Sequence, residues 1–156
     1  MDNNFLKGCK KLKINNSKLY PYNKVLKSIL TKFEDFKIKG DNGIIGVIGG
    51  SIEYTGAPYY AGISALKSGS DLIHIFCHTD AAIPIKCYSP ELMVHPAFDT
   101  IDNKVLLDKT VRWFKSMDSL IIGPGLGALP ETSKIFKYFL DASSKFKSTQ
   151  ILFIAL

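Results

Sequence analysis

Two glycine-rich segments are the parts of this sequence best suited to hold a ligand. The first, Gly46–Ser51 (GVIGGS), closes a short β-branched run, and the second, Gly123–Gly127 (GPGLG), follows another apolar run. Glycines after a strand let the backbone approach a ligand closely, and the N–H groups of a following helix favour an anion. The spacing fits neither the dinucleotide fingerprint nor the phosphate loop. We therefore predict two binding loops, with tight turns of an ordinary α/β domain as the alternative.

The histidines give weaker signals. His74 and His78 are four residues apart, which on a strand separates them by about 13 Å, so we predict no metal site there. His95 lies in a proline-bounded segment and is either a ligand contact or a structural histidine bonded to a backbone carbonyl. No Ser-His-Asp or Cys-His spacing is visible, and nucleophilic catalysis is not predicted.

The elements that must position these residues alternate between short apolar runs and helical periodicity. Strands are predicted at 44–48, 72–77, more weakly 83–88, 119–122 and 151–156, and helices at 25–33, 58–67, 103–117 and 131–144. Residues 89–96 are predicted to be a loop or a short extended piece. Continuous apolar strands separated by helices indicate a parallel sheet covered on both faces, which is the α/β class.

Composition and charge exclude several classes of protein. The chain has 156 residues and is 46% hydrophobic and 22% charged, which is typical of a folded globular domain. Ten of its lysines and only three acidic residues fall in residues 1–40, and Arg112 is its only arginine, so a nucleic-acid partner is not expected. No apolar run approaches the ~18 residues of a membrane span. Three cysteines without C-x-x-C spacing suggest a reducing compartment.

Three longer segments occur together in the order and spacing of one family: GVIGGSIEYTGAPYYAGISALKSGSDL, IKCYSPELMVHP and IIGPGLG. The sequence resembles the ATP-dependent NAD(P)H-hydrate dehydratases, which have a three-layer, ribokinase-like α/β fold. The resemblance covers residues 24–156, a partial domain on the substrate side, and leaves residues 1–23 as a basic flexible leader. It implies repair of hydrated NADH or NADPH, in which ATP with Mg²⁺ phosphorylates the added hydroxyl and phosphate is then eliminated.

The resemblance also implies a set of residues that contact the hydrated dinucleotide. They come from the first glycine segment and the helix after it, from the proline-bounded segment, and from the second glycine segment: Tyr54, Thr55, Gly56, Ala57, His95, Gly123, Gly125 and Gly127. Among these, Gly127 is the first choice, and His95 is placed at the edge of the cleft.

The sequence departs from the family pattern in two places. Ala128 and Leu129 follow the second glycine segment where the family commonly has Arg-Asp. After the apolar run at 151–156, the family continues into an Asp-Ala-Asp-type turn, an ATP-binding Lys-Gly segment and an anion hole with the catalytic aspartate. None of these is in the sequence, so no catalytic residue is assigned and the chain alone is expected to be inactive.

Two alternative functions remain open from the sequence. One is a ribokinase-fold relative that phosphorylates a small alcohol, and the other is a non-catalytic dinucleotide-binding or interaction protein. The apolar run at 151–156 is expected to expose a strand edge that pairs with a second copy. The expected location is cytoplasmic, with mitochondria as the alternative.

Overall fold

The computed structural model describes residues 38–128, 130–146 and 150–153, the last group by its backbone alone. Five strands form the described sheet: β1 Ile44–Ile48, β2 Leu72–His78, β3 Met93–Phe98, β4 Ser119–Ile122 and β5 Gln150–Phe153. Four α-helices connect them: α1 Gly56–Lys67, α2 Thr79–Tyr88, α3 Lys104–Trp113 and α4 Pro130–Ser143. A 3₁₀ turn, Phe114–Ser116, follows α3. The helix expected at 25–33 and the boundary expected near residue 23 lie outside the described residues.

All five strands are parallel, in the order β3-β2-β1-β4-β5. From β1 the chain moves outward through β2 and β3, then returns across β1 to β4 and β5. Crossover connections are right-handed, so this reversal of direction sends α1 and α2 to one face of the sheet and α3 and α4 to the other. The predicted three-layer α/β architecture is confirmed.

Two separate cores fill the two faces of the sheet. In β1, Ile48 packs into the core that contains residues of α3 and α4, while its neighbour Val47 packs into the core beneath α1 and α2. Both side chains are fully buried, as the alternation of side chains along a strand requires when helices cover both faces. This double burial explains why β1 is a continuous apolar run in the sequence.

Two carboxylates hold together the end of the sheet at which the strands begin. Asp71, just before β2, accepts hydrogen bonds from the backbone N–H groups of Gly40 at 2.9 Å and Asn42 at 3.1 Å. Asp118, just before β4, accepts one from the N–H of Ile44 at 2.8 Å. These bonds hold the start of β1 between its two neighbours. The loops at the carboxyl ends of the strands lie at the opposite end of the sheet.

The prediction of a strand at 83–88 is wrong, because these residues belong to α2. Ala81, Ala82 and Ile85 are buried at helical spacing, whereas the Ile83 side chain is 74% exposed. The alternation of isoleucine with polar residues and the presence of Pro84 suggested a strand. Pro84 is instead accommodated inside the helix on its exposed side, where one backbone hydrogen bond is lost.

The segment expected to be a loop or short extended piece contains β3. Pro96 lies inside this strand, which is tolerated because β3 pairs with β2 alone among the described strands and forms an edge of the sheet. The strands at 44–48 and 119–122 are confirmed with the predicted bounds, and the other predicted elements are confirmed with described ends shifted by at most four residues. For example, Asn103 does not begin α3 but caps it, its side-chain oxygen accepting from the N–H of Leu106 at 3.3 Å.

At the other edge of the described sheet, the backbone of β5 pairs with β4. The expectation that this edge pairs with a second copy of the chain stays a prediction. Among the described residues, no helix is both long enough and apolar enough to span a membrane.

Candidate functional site

The two glycine segments meet where the direction of the sheet reverses. β1 and β4 are hydrogen-bonded neighbours, and their carboxyl ends open into the loops 49–55 and 123–128. In open parallel sheets, ligands bind outside the carboxyl ends of the strands at such a reversal, because the crossovers on either side depart to opposite faces and leave a crevice. We refer to the space between loops 49–55 and 123–128 as the switch-point crevice.

Backbone hydrogen bonds join the two walls of the crevice. The Gly50 N–H donates to the Pro124 carbonyl oxygen at 3.0 Å, and the Gly123 N–H donates to the Ile48 carbonyl oxygen at 3.0 Å. Gly49 lies so close to Pro124 that a Cβ on it would overlap the Pro124 carbonyl group. The glycines at this point therefore allow the two loops to approach each other closely. The sequence suggested ligand-binding loops or tight turns here, but not a contact between the two loops.

Gly125 has to be a glycine for two independent reasons. Its φ of +69° lies in the left-handed region, and a Cβ would be only 2.6 Å from the Tyr54 carbonyl oxygen. A Cβ would also be 3.2 Å from Cδ of Pro58, in the first turn of α1. The predicted site residues Tyr54 and Gly125 are therefore in direct contact.

Gly127 extends the same wall toward a buried hydroxyl. A Cβ on Gly127 would point toward Ser51 Oγ at 3.5 Å and toward the ring of Tyr54 at 3.9 Å. Ser51 Oγ is buried and makes no hydrogen bond within the described part of the chain. Leaving a buried hydroxyl unpaired costs about 1–3 kcal/mol, so Ser51 has a donor and an acceptor that the described residues leave unused. Sequence reasoning quoted Ser51 in the first glycine segment but did not select it.

The first turn of α1 forms the next part of the crevice. Thr55 occupies the position before the helix, and Gly56 and Ala57 are its first two residues. The first N–H groups of a helix have no partner inside it, and together with the helix dipole they favour an anion. No acidic side chain lies in this first turn to occupy them. The structure thus brings together seven of the eight predicted site residues, namely Tyr54, Thr55, Gly56, Ala57, Gly123, Gly125 and Gly127.

His95 is the exception, because the structure does not bring it to the glycine loops. It lies in β3, two strands away from β1, and its ring stacks against Phe76 and His74 on the face covered by α3. Its Nε2 is 2.9 Å from His74 Nδ1. The resemblance matched the residue type, but the register of β3 directs this side chain toward Trp113 instead of the glycine loops.

The paired histidines have lowered pKa values. Burial, followed by the charge of His95, lowers the pKa of His74 to about 4. Burial also lowers the pKa of His95, and the positive charges of Lys86 and Lys109 add to this effect. Both imidazoles are neutral at pH 7, so one ring nitrogen of the pair can donate the hydrogen bond that the other accepts. The His95 ring thus makes a structural contact, as in the alternative left open by the sequence, but its partner is the His74 ring and not a backbone carbonyl.

A small cavity of about 100 Å³ adjoins His95, under α3. Its lining includes Phe76, Lys109 and Trp113. Ligand pockets for drug-sized molecules have volumes of about 300–1,000 Å³, so this cavity is too small for a dinucleotide. The cavity beside His95 is therefore not a candidate for the dinucleotide site, and the loops at the sheet reversal remain the candidate.

The remaining titratable candidates do not form a reactive centre. His74 and His78 both lie on β2, as predicted, and within residues 38–128 and 130–146 no three His, Cys, Asp or Glu side chains come together as metal ligands. Burial raises the pKa of the Cys77 thiol to about 12, with Lys86 opposing part of the shift. A thiol of that pKa is not a nucleophile at neutral pH.

Fold and site together define the class of protein: an open, doubly wound α/β domain whose crevice at the sheet reversal combines two glycine loops with a helix N-terminus. The family model described as NAD(P)H-hydrate dehydratase matches residues 45–146. The chain belongs to this family.

Named relatives agree with the family match. The chain is 55% identical over 104 residues to the ATP-dependent (S)-NAD(P)H-hydrate dehydratase of Entamoeba histolytica, covering 65% of this chain and 33% of the relative. It is 44% identical over 121 residues to the enzyme of the same name from Drosophila melanogaster, covering 75% and 39%. The chain thus spans about a third of the length of the curated relatives that it matches.

Solved structures agree on the fold. A ribokinase-like superfamily protein from Enterococcus faecalis superposes with a TM-score of 0.64 at 26% identity, covering 81% of this chain and 42% of that one. The ADP/ATP-dependent NAD(P)H-hydrate dehydratase of Bacillus subtilis, co-crystallised with ATP and Mg²⁺, gives a TM-score of 0.56 at 19% identity, covering 81% and 42%. The predicted ribokinase-like fold is confirmed.

Proposed function

We propose that this chain supplies the hydrated-dinucleotide side of an ATP-dependent (S)-NAD(P)H-hydrate dehydratase, with the switch-point crevice as the binding site. The observation that carries the proposal is the convergence of Tyr54, Gly125 and Gly127 on one crevice at the reversal of a family-matched sheet. The relatives are named for this activity, and this chain matches about a third of their length.

The chemistry of the crevice suits a bulky, doubly phosphorylated ligand. Bare backbone at Gly127 leaves room beside the chain, whereas the space beside Gly125 is filled by Tyr54 and Pro58. The first-turn N–H groups of α1 can bind the negative charge of a pyrophosphate. The Tyr54 side chain is 52% exposed and offers a ring face to a planar base. The buried Ser51 hydroxyl can satisfy one polar group of the ligand.

ATP and Mg²⁺ belong to the proposed reaction as phosphoryl donor and its metal. The described residues do not fit a magnesium site, since no cluster of three potential ligand side chains forms among them. We therefore assign these residues to dinucleotide binding alone and derive no step of phosphoryl transfer through them.

The proposal is tested by isothermal titration calorimetry of the 156-residue chain with (S)-NADPH hydrate. We expect saturable binding with one site per chain, and weaker binding of a hydroxymethylpyrimidine, which represents the small alcohols of ribokinase-fold kinases. Preference for the small alcohol would support the kinase alternative and overturn the proposal. Binding of neither ligand would also overturn it, in favour of an interaction role.

A matched pair of variants locates the binding site. Gly127→Val introduces a side chain into the crevice at a residue with φ +82°, and we expect loss of binding. Gly69→Val introduces the same strain at φ +112°, in open space at the turn before β2, and should bind as the wild type does. Equal affinities of the two variants would contradict the assignment of the crevice.

A further inference from the structure

Tyr88, the last residue of α2, contacts α1 at two positions on one helical face. Its hydroxyl is 2.7 Å from Thr55 Oγ1, and its ring lies 5.2 Å from the ring of Tyr59, centroid to centroid. Thr55 and Tyr59 are four residues apart, so they lie one above the other on the same side of α1. The ring contact orients Tyr88, and the hydroxyl contact connects it to the start of the helix.

Thr55, which makes the hydroxyl contact, does not have the usual role of a threonine before a helix. A threonine before a helix normally accepts a hydrogen bond from the N–H of the second or third helical residue. Here Thr55 has φ −85° and ψ −24°, a helical conformation instead of the extended one of a cap, and its side chain makes no capping bond. The third helical residue is Pro58, which has no N–H, so Ala57 is the donor that Thr55 leaves uncapped.

This contact acts on a wall of the crevice. Thr55 directly follows Tyr54, whose carbonyl oxygen and Cβ lie against Gly125. Tyr88 itself is 48% exposed, and an exposed hydrogen bond between two hydroxyls competes with water, so it contributes little to the stability of the fold. The part of the chain that the bond contacts is the start of α1, at Thr55.

We propose that Tyr88 is a positioning residue for the switch-point crevice. Its hydroxyl bonds the Thr55 hydroxyl, which therefore does not cap the start of α1, and the Ala57 N–H stays available to the ligand. This inference rests on the proposed function for the identity of the ligand. Tyr88 acts through Thr55 and is not required to touch the ligand.

The test combines ligand affinity with a measurement that needs no ligand. Isothermal titration calorimetry with (S)-NADPH hydrate is performed on the wild-type chain and on Tyr88→Phe, Thr55→Val, Thr55→Ser and the Tyr88→Phe/Thr55→Val double variant. Tyr60→Phe, which removes an exposed tyrosine hydroxyl from α1, is the matched control. Amide hydrogen exchange at Ala57 is measured by NMR in the free wild-type and Tyr88→Phe chains.

We expect Tyr88→Phe to weaken binding about fivefold, the size expected for one hydrogen bond, because the released Thr55 hydroxyl then occupies the Ala57 N–H. The double variant should bind like Thr55→Val alone, because without the Thr55 hydroxyl the change at Tyr88 has no capping group to release. Tyr60→Phe should bind like the wild type, and Thr55→Ser, which keeps the hydroxyl, should bind more tightly than Tyr88→Phe. In the free chain, Tyr88→Phe releases Thr55 to cap the helix, so exchange at Ala57 should become slower.

Unchanged affinity in Tyr88→Phe, or additive losses in the double variant, would overturn the inference while leaving the proposed function intact. Failure of the wild-type chain to bind would overturn the proposed function. In that case hydrogen exchange still decides the structural part, since unchanged exchange at Ala57 in Tyr88→Phe would show that Tyr88 does not control the start of α1.

Discussion

The N–H of Gly50 donates a hydrogen bond to the carbonyl oxygen of Pro124 at 3.0 Å, which joins the loop after β1 directly to the loop after β4. These residues are 74 positions apart in the sequence. The bond exists because Gly49 allows the two backbones to approach without a side chain between them. The two loops are therefore structurally connected, and a substitution in one loop should change the conformation of the other.

Ser51→Ala should separate ligand binding from stability. Its hydroxyl is buried and unpaired, so its removal should leave the free energy of unfolding unchanged or raise it by about 1 kcal/mol. Affinity for (S)-NADPH hydrate should fall, because the ligand loses a partner. Urea denaturation and calorimetry measure the two effects.

Ser70→Ala is the matched control for Ser51. Ser70 Oγ is also buried and unpaired among the described residues. It lies in the turn before β2, at the end of the sheet opposite the crevice. This variant should show the same change in stability and unchanged affinity. A loss of affinity equal to that of Ser51→Ala would contradict a ligand role for Ser51.

Gly125→Ala should destabilise the chain more than Gly69→Ala. Both residues have positive φ, and a left-handed conformation costs a non-glycine residue about 1–2 kcal/mol. Only at Gly125 would the added Cβ also clash, 2.6 Å from the Tyr54 carbonyl oxygen, whereas nothing lies within 4 Å at Gly69. Urea denaturation of the two variants gives the difference, and equal losses would show that the loop relaxes around the new methyl group.

Stability should fall as the pH is lowered from about 6.5 toward 4. Burial lowers the pKa of His74 in the folded state to about 4, from the 6.5 of an exposed imidazole, and lowers the pKa of His95 as well. The unfolded chain thus binds more protons than the folded chain in this range, and protonation favours unfolding. Above about pH 6.5 both histidines are neutral in the folded and in the unfolded chain, so they no longer make stability depend on pH.

His74→Phe tests the origin of this pH dependence. Phenylalanine preserves a ring beside Phe76 and His95 but removes one titrating group and its hydrogen bond at 2.9 Å. Urea denaturation between pH 4 and 7 should show a smaller slope in the variant. An unchanged slope would assign the dependence to other groups.

Cys77 and Cys87 should differ sharply in reactivity. The Cys77 thiol is buried and its pKa is raised to about 12, while Cys87 is exposed. Iodoacetamide near pH 8 should alkylate Cys87 in the folded chain, and Cys77 only after addition of urea, as read by peptide mass spectrometry. Equal alkylation of both in the folded chain would contradict the burial of β2.

Most of the fold could be predicted because both sides of β1 and β2 are buried, which makes the strands continuous apolar runs in the sequence. Prediction failed at α2, where Pro84 and the alternation of Ile83 and Ile85 imitate a strand. Two of the three buried residues of this helix are short alanines, which contribute little to a hydrophobic pattern. Only packing against the sheet decides in favour of the helix.

The candidate site could be predicted where contacts follow from the order of parallel strands, as for Tyr54 and Gly125. The position of His95 could not, because it depends on the register of β3, an edge strand interrupted by Pro96. Ser51 and Tyr88 were missed for a different reason. Their importance lies in a hydroxyl left without a partner and in one shared with Thr55, and neither property leaves a pattern in a single sequence.

The most direct test of the crevice is amide chemical-shift mapping of the ¹⁵N-labelled 156-residue chain titrated with (S)-NADPH hydrate. We expect the largest shifts at Gly50, Ala57, Gly125 and Gly127, with small shifts along β3. Shifts concentrated around His95 and Trp113, with the glycine loops unaffected, would place the ligand under α3 and contradict the account.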